Sequence, residues 1–409
     1  MGVGALGLPW AAARLGWIAS VTTLMVFAFC STYSGVLLAR CRVELYRGEG
    51  AGGYGDLAVR TVGPCFGAIS RTIIVANWGL LLPYYLLTAG KSLIFIAPNA
   101  QICDWEWTAI MALAVVLPMQ FTTLVEISSL CGASTIAIIT AICIIIAKLF
   151  VDAANNEGGS GDATTQTTLW PPKETGFIDF FGALTAIVFA YQGQDIFCEV
   201  IAEMQDERDA PKAISTSYAL MTLTYMFTVV TAYGLQGVGV EDFLPNSLEE
   251  GWRTSLVGGL VAFHILVAYL CLGIPFMNVI YRLLFPKTPI IMGGTGARAR
   301  WFVLSIVVIG ASFLVATAVP SFGAIQSLLG AFAGAPIVFG WPPLFYLLAC
   351  HQKNIDVAGF DKVMCFLYLC VLLPSFLIFG AWDAITTVLE DRSEHPVLFN
   401  KCWTVEPTM

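Results

Sequence analysis

Between Ile127 and Phe150 the chain runs for 24 residues with a single charged side chain, Lys148. A helix needs about 20 predominantly apolar residues to cross a bilayer, so a run of this length and purity reads as a membrane span. The pattern recurs along all 409 residues, of which 57% are hydrophobic and 12% charged. A soluble domain carries roughly 25% charged residues. A transmembrane barrel would alternate polarity within segments of about ten residues. The long continuous runs instead specify an all-α integral membrane protein. They predict ten full spans, at 18–39, 70–96, 107–124, 127–150, 177–204, 214–236, 254–284, 301–319, 322–349 and 362–382, after a partial one at the start. Residues 383–409 form an acidic tail.

Charge sets the expected orientation. If the loop after residues 18–39 is cytoplasmic, alternate loops on that side hold thirteen of the twenty Lys and Arg residues, Arg40, Arg42 and Arg47 among them. Cytoplasmic loops carry an excess of basic residues, so the first helix is expected to start inside. No basic region precedes the first apolar run, so no signal peptide is expected. The cysteines fall mostly within apolar runs, as small buried hydrophobes do. Cys103 and Cys402 lie in segments expected outside, and sequence alone does not decide whether they pair.

Two apolar segments are interrupted. The first, Gly2-Val3-Gly4-Ala5-Leu6-Gly7-Leu8-Pro9, places three glycines and a proline where a span should begin. Gly costs about 1 kcal/mol and Pro about 3 kcal/mol in a helix interior. The second, Ala190-Tyr191-Gln192-Gly193-Gln194-Asp195, places amides, glycine and a carboxylate in mid-span. Irregular backbone at membrane depth is tolerated where it lines a protein cavity. The two interruptions fall on the first and sixth helices, matching positions in two five-helix halves, 1–150 and 177–349. With the halves oppositely oriented, such a pair marks the binding site of a secondary transporter. A half-helix starting near Pro9 offers amides to a carboxylate. Unwound carbonyls near 190–194 suit an ammonium, so the expected cargo is an amino acid or another small zwitterion.

These residues resemble a known family. Gly2-x-Gly4-x-Leu6-x-Leu8-Pro9-x-Ala11 with Leu15-Gly16-Trp17 is similar to the first-helix signature of the amino acid/auxin permease family. Tyr54-Gly55-Asp56-Leu57, Phe189-Ala190-Tyr191-x-Gly193 with Glu199, Pro320-x-Phe322-Gly323, Ser327-Leu328-x-Gly330-Ala331, and Pro343 with Phe345 and Tyr346 resemble its later motifs. The resemblance implies the leucine-transporter-like five-plus-five inverted repeat plus an eleventh helix. It also implies an amino acid transporter of the plasma membrane or a vacuolar or lysosomal membrane, driven by protons or, in some branches, sodium. Gly2, Val3, Gly4, Ala5, Leu6 and Gly7 would then meet the substrate carboxylate. Ala190, Tyr191, Gln192, Gly193 and Gln194 would meet its amine and side chain. The chain departs from the pattern in two places. Gln194-Asp195 stands where members often have His-Asn, and the half-helix expected before the glycines is missing from the sequence as it starts at Met1.

Asp195 and Glu199 lie four apart, on one helix face, and ionisable residues inside a membrane are functional candidates. Both are candidate proton carriers, as is His264 in the middle of 254–284. A sodium site in this architecture usually draws hydroxyls from helix eight, and after Ser255 that span has no Ser or Thr, which favours protons. Asn77, Tyr84, Tyr85 and Gln326 are further polar residues within spans. Metal, nucleotide and nucleophile motifs are absent, so no cofactor, no nucleic acid, no enzymatic activity and no ATP-driven step is expected. The expected partners are the bilayer and a small amino acid, with the oligomeric state open. Two alternatives remain at this point: a non-transporting amino acid sensor on the same fold, and an inactive N-terminally truncated fragment.

Overall fold

The computed structural model describes residues 3–47, 53–100, 102–156, 166–173, 175–288, 290, 294–318 and 328–394, and all of its regular structure is helical. A short 3₁₀ turn, Val3–Leu6, leads into α1 (Leu8–Arg40). There follow α2 (Tyr54–Thr61), α3 (Pro64–Ile94), α4 (Asp104–Val116) and α5 (Ser128–Asn156). The second half holds α6 (Phe177–Ala190), α7 (Gln194–Ala202), α8 (Ala210–Gln236), α9 (Trp252–Leu284) and α10 (Thr295–Ala318). Two further spans are α11 (Gly330–Gln352), π-helical over Gly330–Gly340, and α12 (Gly359–Thr386), from which helix continues to Glu394.

Eight helices among the described residues are long and apolar enough to cross a membrane. Two expected spans differ from the rest. The one expected at 107–124 is α4, only 13 residues, or about 20 Å at 1.5 Å per residue. It stops ahead of Pro118, because the residue before a proline is biased out of the helical region, and the chain turns through Pro118–Gln120. The one expected at 177–204 is the pair of short helices α6 and α7. The opening fragment and the span expected at 18–39 are two helical segments that meet at Gly16, whose backbone is non-helical; together they make up α1. Gln326, Phe322 and Cys402 lie outside the described residues, as does Gly2.

The kink at Gly16 is held by hydrogen bonds to a distant part of the chain. Gly16 has φ +72°, and a Cβ there would sit 2.6 Å from the backbone carbon and oxygen of Trp170. The bend takes the next amides out of the helical ladder. The Trp17 N–H donates to Thr168 O at 2.9 Å and the Ile18 N–H to Leu169 O at 3.1 Å. The strap that accepts them is itself held by α8, where the Tyr233 hydroxyl accepts from the Thr168 N–H at 2.9 Å. Two backbone amides freed by the kink are thus paired with protein carbonyls.

Packing separates the helices into two sets with a cavity between them. α1 lies against α6 and α8, while α3 lies against α4, α9 and α10. α5 touches both sets, through α8 and α9. At one end of the bundle the buried Arg42 donates to Cys198 O at 2.5 Å and pairs with Glu207 at 3.3 Å. That contact ties the end of α1 to α7 and the turn after it. At the other end Lys148 pairs with Asp152 and, at 3.2 Å, with Glu249.

Gly16→Ala places a side chain in a backbone region that costs about 1–3 kcal/mol and pushes it into the Trp170 backbone. The variant is expected to melt at lower temperature than the parent in detergent. An unchanged melting curve would show that the kink does not need glycine.

Candidate functional site

The chain leaves helix geometry between Ala190 and Gln194, in the interior of the bundle, and its freed groups are met from three sides. From α8, the Tyr225 hydroxyl donates to Ala190 O at 2.9 Å and the Tyr218 hydroxyl donates to Tyr191 O at 3.0 Å. The Tyr191 hydroxyl in turn donates to Thr222 Oγ1 at 3.3 Å. Residues 218, 222 and 225 share one helix face by their spacing of four and three. From α1, Ser31 O accepts from Gln194 Nε2 at 3.1 Å, while Gln194 Oε1 accepts from the Gly193 N–H at 3.0 Å. Of the carbonyls expected to suit an ammonium, those of 190 and 191 each already accept from a tyrosine, and each oxygen keeps a second lone pair.

From α3 comes the third set of contacts. Asp195 Oδ2 accepts from Asn77 Nδ2 at 2.9 Å and from Trp78 Nε1 at 2.7 Å. Gln192 Nε2 donates to Asn77 Oδ1 at 3.3 Å, which leaves Gln192 Oε1 without a partner among the described residues. Asp195 stands in the first turn of α7, where the helix dipole favours negative charge. One carboxylate oxygen thus joins the broken helix to α3 through a four-residue network.

This break opens onto a cavity of about 370 Å³, bordered by α3, α5, α6, α7, α8 and α9. Small-molecule pockets run from about 300 to 1,000 Å³. Gly4 lines it, and a Cβ at Gly4 would lie 3.0 Å from Ala190 Cα, so the two interrupted segments touch. The α-helix starts at Leu8 with Pro9 in its first turn, as expected, and the 3₁₀ turn Val3–Leu6 ahead of it puts Ala5, Leu6 and Gly7 behind Gly4 in the core. Ala190, Gln192, Gly193 and Asp195 line the cavity, whereas Tyr191 and Gln194 face α8 and α1.

The other two candidate proton carriers lie apart. His264 of α9 is 3% exposed and borders the cavity. Its Nδ1 is 2.8 Å from Ser134 Oγ of α5, and its Nε2 has no partner among the described residues. Glu199 does not border the cavity. It sits one turn further along α7 against Gly53, where a Cβ would lie 3.1 Å from Oε1, and its Oε2 is buried without a partner among the described residues. Tyr84 and Tyr85 line the opposite wall. Sequence reasoning passed over Trp78, Ser134, Tyr218 and Tyr225. Only the shared face of 218, 222 and 225 carried a local signal, and it is the same signal an ordinary buried face gives.

The sequence profile of the family described as "Transmembrane amino acid transporter protein" matches residues 1–386. Among curated proteins, the chain is 25% identical to amino acid transporter ANT1 of Arabidopsis thaliana, over 95% of this chain and 90% of that protein. It is 22% identical to lysine histidine transporter-like 1 of the same plant, over 91% and 83%. Among solved structures, it matches MhsT in complex with L-phenylalanine with a TM-score of 0.50 at 15% identity, covering 96% of this chain and 95% of that one. That likeness is one of fold: the chain has the leucine-transporter-like architecture.

Tyr225→Phe and Tyr218→Phe each withdraw the donor from a buried carbonyl, at a cost of about 1–3 kcal/mol. Both variants are expected to melt earlier in detergent, and the double variant earlier still. If neither shifts the melting temperature, the tyrosines do not hold the break.

Proposed function

The chain belongs to the transmembrane amino acid transporter family, and from that premise we propose that it is a proton-coupled symporter binding its amino acid where the two interrupted segments meet. Amino acid transport across a membrane by a multi-pass integral protein, not catalysis, is what family and fold together support. The observation that carries the finer reading is Asp195, a buried carboxylate that borders the cavity while bonded to α3.

In this reading the substrate carboxylate lies at the leading end of the turn before α1, at Gly4, where a helix start favours an anion. The ammonium lies toward Gln192 Oε1, the acceptor left unpartnered among the described residues, and toward Asp195. A carboxylate in an apolar wall is costly unless paired. Cation binding or protonation at Asp195 therefore changes its bonds to Asn77 and Trp78, and with them the contact between α7 and α3. That contact links the half built on α1, α6, α7 and α8 to the half built on α3, α4, α9 and α10. Site occupancy is thereby coupled to the movement of one half against the other, which is the requirement of alternating access. On the expected orientation, Arg42 and Glu207 hold the cytoplasmic end closed. Glu199, buried near that end, is the next group a released proton would meet.

Purified protein in proteoliposomes is expected to take up at least one member of a radiolabelled amino acid panel, faster with an imposed inward proton gradient. No uptake of any amino acid would overturn the transporter reading. Asp195→Asn keeps an acceptor for Asn77 and Trp78 but holds no exchangeable charge. The variant is expected to exchange substrate while losing the response to the pH gradient. Proton-driven uptake equal to the parent would remove Asp195 as the carrier.

A further inference from the structure

We propose that Cys131 and Cys271 form a dithiol site in the cavity wall which a hydroperoxide oxidises to a disulfide, fixing α5 to α9 and arresting transport. The arrest rests on the transport reading above; the disulfide itself does not.

The two sulfurs face each other at 3.4 Å, one from α5 and one from α9, and both residues border the cavity. Five other cysteines have different surroundings: Cys30, Cys41, Cys198, Cys350 and Cys365 are buried away from the cavity, as small core residues commonly are. Thiol oxidation follows access as well as thiolate character. A cavity open to a polar solute admits a molecule as small as hydrogen peroxide.

The position of the pair decides what its oxidation would do. Along α9, residues 264, 271 and 278 recur every seven and share a face. Each meets the chain of α5 or the loop before it. His264 Nδ1 is 2.8 Å from Ser134 Oγ, Cys271 Sγ is 3.4 Å from Cys131 Sγ, and Asn278 Nδ2 donates to Thr122 O at 3.0 Å. The thiol contact is the middle of this seam, between a bond at the cavity wall and one at the bundle's Arg42–Glu207 end. The outer two are hydrogen bonds that part and re-form readily. A disulfide in the middle would not, so the seam would be locked. Closing from 3.4 Å to a bond of about 2.0 Å requires an approach of roughly 1.4 Å, shared between two helices and two rotatable side chains.

The chemistry balances with one equivalent of hydroperoxide. With hydrogen peroxide, one thiol, as its thiolate, attacks a peroxide oxygen; the O–O bond breaks, giving a sulfenic acid and hydroxide, which takes up the thiol's proton to become one water. The second thiol attacks that sulfur; the S–S bond forms and the S–O bond breaks, releasing a second water. The two sulfurs are oxidised and the peroxide is reduced. A dithiol reductant reverses the bond by exchange.

The test treats the purified full chain in proteoliposomes with hydrogen peroxide and reads two things separately. Peptide mass spectrometry without reduction is expected to show a Cys131–Cys271 linked pair that disappears with dithiothreitol. Uptake, each protein compared with its own untreated rate, is expected to fall in proportion to the linked fraction and to recover on reduction. In Cys131→Ser and Cys271→Ser, peroxide is expected to leave uptake at the untreated rate. Absence of the linked pair, at doses that oxidise the exposed Cys65, would overturn the site. A linked pair with undiminished uptake, or equal peroxide inhibition in both serine variants, would overturn the arrest. Absence of uptake before any treatment would instead count against the transport reading, and the linked peptide would still report on the site.

Discussion

Backbone that leaves a helix inside a membrane must find its hydrogen bonds within the protein, and that requirement governs how this chain is assembled. Between Ala190 and Gln194 the ladder stops, and no solvent shell is assured to replace it. Tyr218 and Tyr225 supply donors to two of the carbonyls. Amides freed by the kink at Gly16 likewise reach protein carbonyls, those of Thr168 and Leu169, there in an exposed strap. An unsatisfied polar group in an apolar surround costs several kcal/mol, so neighbouring helices are held in register by the breaks they serve. The break in the sixth helix is thus a point of attachment for α1, α3 and α8 rather than a defect in α6.

Attachment and the cavity meet in the same stretch of chain. Asp195 accepts from α3, Gln194 donates to α1, and Tyr191 bonds to α8, while the cavity opens on Asp195 and Gln192. A ligand that alters charge at this point acts on contacts among three helices at once. Close approach of Gly4 to Ala190 extends the coupling to the leading turn of α1, and it depends on the absence of a side chain at Gly4. Across the cavity, α5 and α9 are joined by the seam through Ser134, Cys131 and Thr122, so both walls are held by discrete polar or thiol contacts. Walls held in this way have contacts that can part and re-form, which a continuous apolar face would not offer so selectively.

Much of the architecture was legible in the apolar runs. The spans at 127–150, 214–236 and 254–284 correspond to α5, α8 and α9, because a helix that must cross a bilayer has few other sequences open to it. The span at 107–124 was overestimated: hydropathy continued past Val116, but Pro118 ended the helix. Within the site, Asp195 and Gln192 were legible as polar residues where a span should be apolar. Trp78 and Ser134 were not, since a tryptophan beside an asparagine or a serine in a span is commonplace until its partner is known. Tyr191 and Gln194 read as cavity residues by their place in the break, and the fold turned them toward α8 and α1.

The sequence by itself determined that the chain crosses a membrane several times as helix and that its sixth helix is interrupted. Both follow from local constraints, apolar length and residues that resist helix, which act without reference to distant parts of the chain. Which freed groups are satisfied, and which remain for a ligand, was decided by tertiary structure alone. The donors to residues 190–195 come from positions 77, 78, 218 and 225, on other helices. Hydrogen bonds between helices depend on rotation and depth, and neither is encoded in the period of a single apolar run. The same holds for the 3.4 Å approach of Cys131 to Cys271, residues 140 apart in the chain and adjacent only where α5 crosses α9.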